Sequence, residues 1–290
     1  MPSLSHSDAA PIPLAQQRRR NLPASAAFGW LAHGWRDLWD RPGPSLAYGL
    51  AVFLASVVIV WGLFAFELDY ILFPALAGFM VVGPLVAIGL YQKSYAIENG
   101  EPVSLHRMLF VKANAGAQVL YTGAILCLLM LVWMRAAVII YALFFGLRPF
   151  PGLDHVTEML FTTSEGWGML LVGTVVGGLF AAFSFAISVF SVPMLLDEEV
   201  DAFTAMGTSI SMVWRNLPVM VMWGAIVSVL FVFSVATALV GLIVVFPLLG
   251  HATWHAYKAI RRPDDPAGST MPAGNGAGTE RATGPEPAPG

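Results

Sequence analysis

The chain has 290 residues, 57% of them hydrophobic and only 11% charged, with a formal net charge of −3, whereas soluble domains carry about 25% charged residues. With a mean hydropathy of +0.70, this composition excludes a water-soluble globular fold and requires lipid around most of the chain. No nucleic-acid partner is expected, and the single Cys127, set inside an apolar run, excludes an internal disulfide.

In chain order, residues 1–27 hold Pro, Ser, Gln and the triplet Arg18, Arg19 and Arg20 but no apolar core, which predicts a disordered cytosolic tail rather than a signal peptide. FGWLAHGWRDLW, residues 28–39, predicts an amphipathic helix in the inner interface: Phe28, Leu31, Trp35, Leu38 and Trp39 recur at helical spacing, with Arg36, Asp37 and Asp40 on the other face. A hydrocarbon layer of about 30 Å takes about 20 helical residues to cross. Six stretches meet that need: Leu46 to Phe64, Ile71 to Tyr91, Ala117 to Ala137, Trp167 to Val192, Leu217 to Val235 and Ala236 to Trp254. They must be helices, because lipid offers no partner to an unpaired backbone N–H or C=O.

Ser234 to Thr237, SVAT, is expected to turn between spans five and six. DEEVD, with Asp197, Glu198, Glu199 and Asp201, precedes a second amphipathic segment, FTAMGTSISMVW, whose positive helix end the acids complement. Residues 263–290, almost all Pro, Gly, Ala, Thr and acidic residues, predict a second disordered tail. The expected fold is thus all-α: a six-span membrane domain over 28–262 with interfacial helices. Thirteen of the 15 Lys and Arg residues fall in inner segments if both ends are cytosolic, only Arg148 falls in an outer loop, and Arg135 lies within an apolar run. By the positive-inside rule this places both termini in the cytoplasm.

A shift of 175 residues lays residues 28–39 over residues 203–214, and Tyr48-Gly49 over Trp223-Gly224; GPLVAIGLYQKSYA likewise lies over FPLLGHATWHAYKA through Pro84 and Pro247, with Pro193 the candidate equivalent in span four. The chain reads as a degenerate three-fold repeat, each unit an interfacial helix, a span and a Pro-bearing span.

Several residues are candidate sites. Arg135, in the last turn of span three, either snorkels to outer headgroups or pairs with a carboxylate inside the protein. His251 and His255, four apart on one helix face, are weak candidates for a metal or haem site, set against the plainer reading of an interfacial helix end. Gly173, Gly177 and Ala181 form a small-residue ladder for helix packing, as do Ala47, Ala51 and Ala55. Pro84, Pro193 and Pro247 bend their helices and are candidate hinges. No span centre carries a carboxylate, and no Walker-type loop, GxSxG, HExxH or CxxC occurs, so neither a coupled transporter nor an enzyme is indicated, and no cofactor is expected.

WMRAAVIIYALFFG, FAISVFSVPMLLDEEVDA and VVFPLLGHATWHAYK resemble a bacterial family of predicted integral membrane proteins, domain of unknown function 2189, over residues 28 to 262. The resemblance implies a fold and a membrane location but no activity. Some relatives are labelled putative cytochrome c oxidase subunit I, a label the scarcity of membrane histidines argues against. The leading expectation is a non-enzymatic accessory or scaffold protein that packs against itself or a larger membrane complex. The alternatives are a transporter or channel for a small, weakly charged solute, and a metal- or haem-binding membrane protein.

Overall fold

A computed structural model describes residues 21–261 except 112, 114, 115 and 147–151; the two tails, Lys112 and Arg148 lie outside the described residues. The elements are α1 (Ala26–Trp39), α2 (Pro42–Ala65), α3 (Leu72–Val86), α4 (Ile88–Glu98), α5 (Leu105–Leu109), α6 (Gly116–Phe145), α7 (Leu153–Thr162), α8 (Ser164–Ser188), α9 (Ser191–Asp197), α10 (Ala202–Arg215), α11 (Leu217–Ala236) and α12 (Leu242–Arg261), with a short 3-10 turn at Asp69–Ile71. Among the described residues, five stretches are long and apolar enough to cross a membrane: Pro42–Ala65, Asp69–Glu98, Gly116–Phe145, Ser164–Asp197 and Leu217–Ala236. Their outer faces are lined with exposed side chains such as Leu120, Leu143, Leu171 and Leu179, a surface that suits hydrocarbon.

The last helix differs from the expected sixth span. It starts at Leu242 rather than Ala236, and 13 of its 20 residues are buried. Polar residues such as His251, Thr253 and Lys258 keep it below the hydropathy of a lipid-facing span. It is central instead, packed on α1, α2, α4 and α11 and antiparallel to α2, since Ser45 meets His251 while Gly49 meets Ile243 and Pro247. The hairpin before it also falls later than SVAT. Ser234 to Ala236 complete α11, and the chain reverses where Ala238 (φ 52) and Leu239 (φ 68) turn left-handed. Leu239 N–H closes the helix on Ser234 O at 2.7 Å, satisfying a carbonyl that a helix end leaves free.

The interfacial helices invert part of the expected pattern. On α1, Phe28, Trp35 and Trp39 are exposed, whereas Asp37 is 8% exposed and faces inward. A side facing lipid should be apolar, so the polar group goes inside where partners can be built for it. The buried set Ala27, Trp30, Gly34, Asp37 and Leu38 of α1 lies 175 positions before Ala202, Ala205, Ser209, Met212 and Val213, all buried on α10. Phe203 and Trp214 are exposed as Phe28 and Trp39 are.

The three prolines sit in three different settings. Pro84 lies in the last turn of α3, just before the break at Ala87, where Tyr48 of α2 donates its hydroxyl to Val86 O at 2.6 Å. Pro193 lies in the first turn of α9, where a missing N–H costs nothing. The break before it is spliced by Ser209 of α10, which accepts from Phe190 N–H at 3.2 Å and donates to Ala186 O at 2.7 Å. A hydroxyl thus stands inside the i→i−4 ladder, a recognised cause of a bend. Pro247 interrupts no helix. It cannot donate to Ile243 O, and that carbonyl points at Gly49, where an added Cβ would lie 2.2 Å away.

Helix α2 can cross α12 only because Gly49 has no side chain. Gly49→Ala should therefore lower thermal stability by roughly 1–3 kcal/mol through overpacking. Gly207→Ala, on an exposed stretch of α10 with nothing within 4 Å, should raise it by about 0.5–1 kcal/mol through helix propensity. Unfolding midpoints in detergent micelles check both; equal effects of the two substitutions would contradict the crossing.

Candidate functional site: a buried polar chain beside an apolar chamber

Helices α1, α2, α4 and α12 bring together five buried polar side chains: Asp37, Ser45, Lys93, Ser94 and His251. Ser94 donates to Asp37 Oδ2 at 2.6 Å, because a carboxylate only accepts. With its proton so committed, Ser94 Oγ can only accept from His251 Nδ1, 2.9 Å away. The imidazole is therefore Nδ1-protonated, which leaves Nε2 to accept from Ser45 at 2.9 Å. Ser45 Oγ in turn accepts from Lys93 Nζ at 2.8 Å. At the other end His255 Nε2 donates to Asp37 Oδ2 at 2.8 Å. Every hydrogen in the chain from Lys93 to His255 has one consistent position.

Lys93 is 1% exposed, and a buried ammonium is tolerated only when its donors are used. All three are: besides Ser45 it donates to Asp37 O at 2.8 Å and Arg41 O at 3.1 Å. These carbonyls lie at and just beyond the C-terminal turn of α1, where the helix dipole favours a cation. Burial alone would push the Asp37 carboxyl up, but the hydrogen bonds from His255 and Ser94, with the nearby imidazoles, outweigh it and hold the group below the usual carboxylate value.

A serine between a lysine and a histidine has the composition of an activated nucleophile. Ser45 is 0% exposed, and its hydroxyl is committed to joining α2 with α4 and α12. His251 and His255, the weak candidates for a shared metal, face different partners. Both His251 nitrogens are taken by serines, His255 is turned to Asp37, and no three His, Cys, Asp or Glu side chains converge among the described residues. His33 lies beside His255, their ring centroids 5.2 Å apart.

At the same end of the molecule the DEEVD acids find partners on α12. Asp197 accepts from Arg261 at 3.0 Å and Tyr257 at 3.1 Å, and Glu198 accepts from Arg261 and Tyr257 at 2.7 Å each. Asp201 accepts from Thr204 N–H at 2.9 Å and caps α10, as its place before that helix suggests.

Below the polar chain lies an apolar chamber of about 200 Å³, walled by α3, α6, α8, α11 and α12 together with Tyr91 of α4. Pro84, Gly177 and Ala181 line it, as do Phe79, Trp133, Trp223 and Phe246. The Gly173–Gly177–Ala181 ladder does not bring helix backbones together: Gly177 receives the Trp133 ring, which a Cβ would meet at 3.0 Å, and a Cβ on Gly173 would meet nothing within 4 Å. Arg135 is exposed on α6, ten residues before the helix ends at Phe145, and stands outside the chamber wall. It makes no ion pair with any of the described residues.

A family described as "Predicted integral membrane protein (DUF2189)" matches residues 72–197. The matched stretch runs from the start of α3 to the end of α9, shorter than the 28–262 expected from the quoted segments, and carries no link to a cytochrome c oxidase. The chain is thus similar to a family of bacterial multi-pass membrane proteins without an assigned activity. Lys93 and Ser94 fall inside the match, while Asp37, Ser45, His251 and His255 fall outside it. No curated protein matches, and no solved structure does.

Asp37→Asn should lower stability at neutral pH by roughly 1–3 kcal/mol, the cost of disturbing hydrogen bonds to a buried charged group. Because the folded carboxyl titrates below its unfolded value of 3.8, its contribution is fully present above that pH and is lost as pH falls through the lower, folded value. The gap in unfolding midpoint between native protein and Asp37→Asn should therefore close only below about pH 4; a gap that closes between pH 5 and 7 would refute the assignment.

Proposed function

We propose that the chain is a membrane-embedded, non-enzymatic binding protein for a small, neutral, lipophilic molecule. The chamber carries this reading. An apolar cavity of about 150 Å³ already takes benzene, and here about 200 Å³ is lined by five helices and Tyr91 with no charged residue in the wall. A channel for a weakly charged solute is less favoured, because Arg135 stands outside the wall and the breaks at Ala87 and Phe190 are braced by Tyr48 and Ser209. The polar chain supports the chamber by fixing α4 and α12, two of the helices that contribute to it.

A second reading, an accessory protein that packs against a partner or itself in the inner membrane with both ends cytosolic, is favoured by Ala47, Ala51 and Ala55. All three are exposed on α2, turned away from the rest of the chain. Close helix approach on that face would need a second molecule.

Gly83 separates binding from folding. It lines the chamber, and a Cβ there would meet nothing within 4 Å. Gly83→Leu should abolish binding of α-methylstyrene by protein in phospholipid vesicles while leaving the unfolding midpoint unchanged or higher, since leucine favours helix over glycine by roughly 0.5–1 kcal/mol. Undiminished binding by the variant would refute the chamber reading, and disulfide trapping between copies carrying Ala51→Cys tests the second.

A further inference from the structure

From the donors left unused in the chamber, we infer that its occupant carries a carbonyl oxygen; this rests on the chamber being a binding site. The wall is not uniformly inert. Ser184 donates to Phe180 O at 2.7 Å, Thr253 to Leu249 O at 2.8 Å and Trp133 Nε1 to Pro74 O at 3.2 Å, so these polar groups are satisfied within the protein. Trp223 differs. It is 0% exposed, lines the chamber, and its Nε1–H has no partner among the described residues. Tyr91, 1% exposed on the same wall, makes no hydrogen bond through its hydroxyl to any described residue.

An indole N–H can only donate, and a buried donor left unpaired costs about 1–3 kcal/mol. Trp30 packs edge-on to the Trp223 ring at 6.0 Å and 78°, which fixes the plane of the indole. A tryptophan and a tyrosine on an otherwise apolar wall provide directional N–H and O–H donors, whereas the wall has neither a cation for a carboxylate nor a carboxylate for an amine. The chemistry that fits is a neutral, largely hydrocarbon molecule bearing one acceptor oxygen on a carbonyl carbon. Such an oxygen comes either from a free lipophilic ketone, quinone or ester or from the ester linkage of a surrounding lipid.

Acetophenone and α-methylstyrene, isosteres in which C=O replaces C=CH2, separate the acceptor from the apolar fit. Each is titrated against native protein, Trp223→Phe and Tyr91→Phe in ester-linked phospholipid vesicles, with partition into protein-free vesicles subtracted. The native protein should prefer the ketone. Each substitution should cut that preference by about 5- to 10-fold, the worth of one hydrogen bond, and leave α-methylstyrene binding unchanged. Tyr91→Phe keeps the ring, so it remains informative if Trp223→Phe fails to fold.

Equal binding of the two probes by native protein in both ester-linked and ether-linked vesicles would overturn the carbonyl inference and leave the chamber reading intact; failure to bind either probe in both vesicles would overturn both. Ether-linked phospholipids, which lack ester carbonyls, distinguish the two sources. A ketone preference that emerges only in ether-linked vesicles assigns the donors to a lipid ester, and equal preference in both vesicles assigns them to a free molecule.

Discussion

Hydrocarbon cannot hydrogen-bond, and this one constraint organises the molecule. A polar group placed among these helices is met within the protein, on its own helix as at Ser184 and Thr253 or on a neighbouring one, and the contacts of the second kind help select which helices meet. The chain from Lys93 through Ser45, His251 and Ser94 to Asp37 and His255 is the clearest result. It balances an ammonium against a carboxylate without direct contact between them, through a neutral imidazole and two hydroxyls. Removing any link leaves a buried donor or acceptor open, which is why such chains are high-stakes.

The same constraint explains the helix breaks. A helix interrupted within lipid exposes carbonyls and N–H groups that nothing outside can satisfy. Tyr48 and Ser209 reach across from neighbouring helices to meet them. Proline placement follows suit, for Pro193 sits where no N–H is wanted and the carbonyl left by Pro247 faces a glycine. The breaks are thereby features of packing between helices, and the glycines that matter most are those at crossings, not those in the ladder.

Much of the architecture is legible in the sequence. The first five apolar stretches and the two amphipathic segments follow from length, periodicity and composition, and the turn before the last helix is legible to within a few residues. The sixth helix is read less well because hydropathy measures fitness for lipid, and α12 faces protein instead. Asp37 turns inward for a related reason: the rule that charge points outward assumes water outside, and α1 has exposed Phe28, Trp35 and Trp39 on that side. Ser45 and Ser94 are invisible in the sequence, since a lone serine in an apolar helix gives no signal until its partner is known. Lys93, next to Ser94 within an apolar and aromatic run, was the available hint. The chamber and its unpaired Trp223 donor depend on five helices meeting, which no local pattern encodes.

The order of synthesis follows from the place of α12. The helices it packs against, α1, α2, α4, α9 and α11, all leave the ribosome first. Until Leu242–Arg261 emerges, Asp37 and Ser94 have each other but no imidazole beside them, and the crevice destined for Trp254 and Tyr257 stands open to the membrane. The nascent protein must therefore wait, incompletely knit, for its keystone.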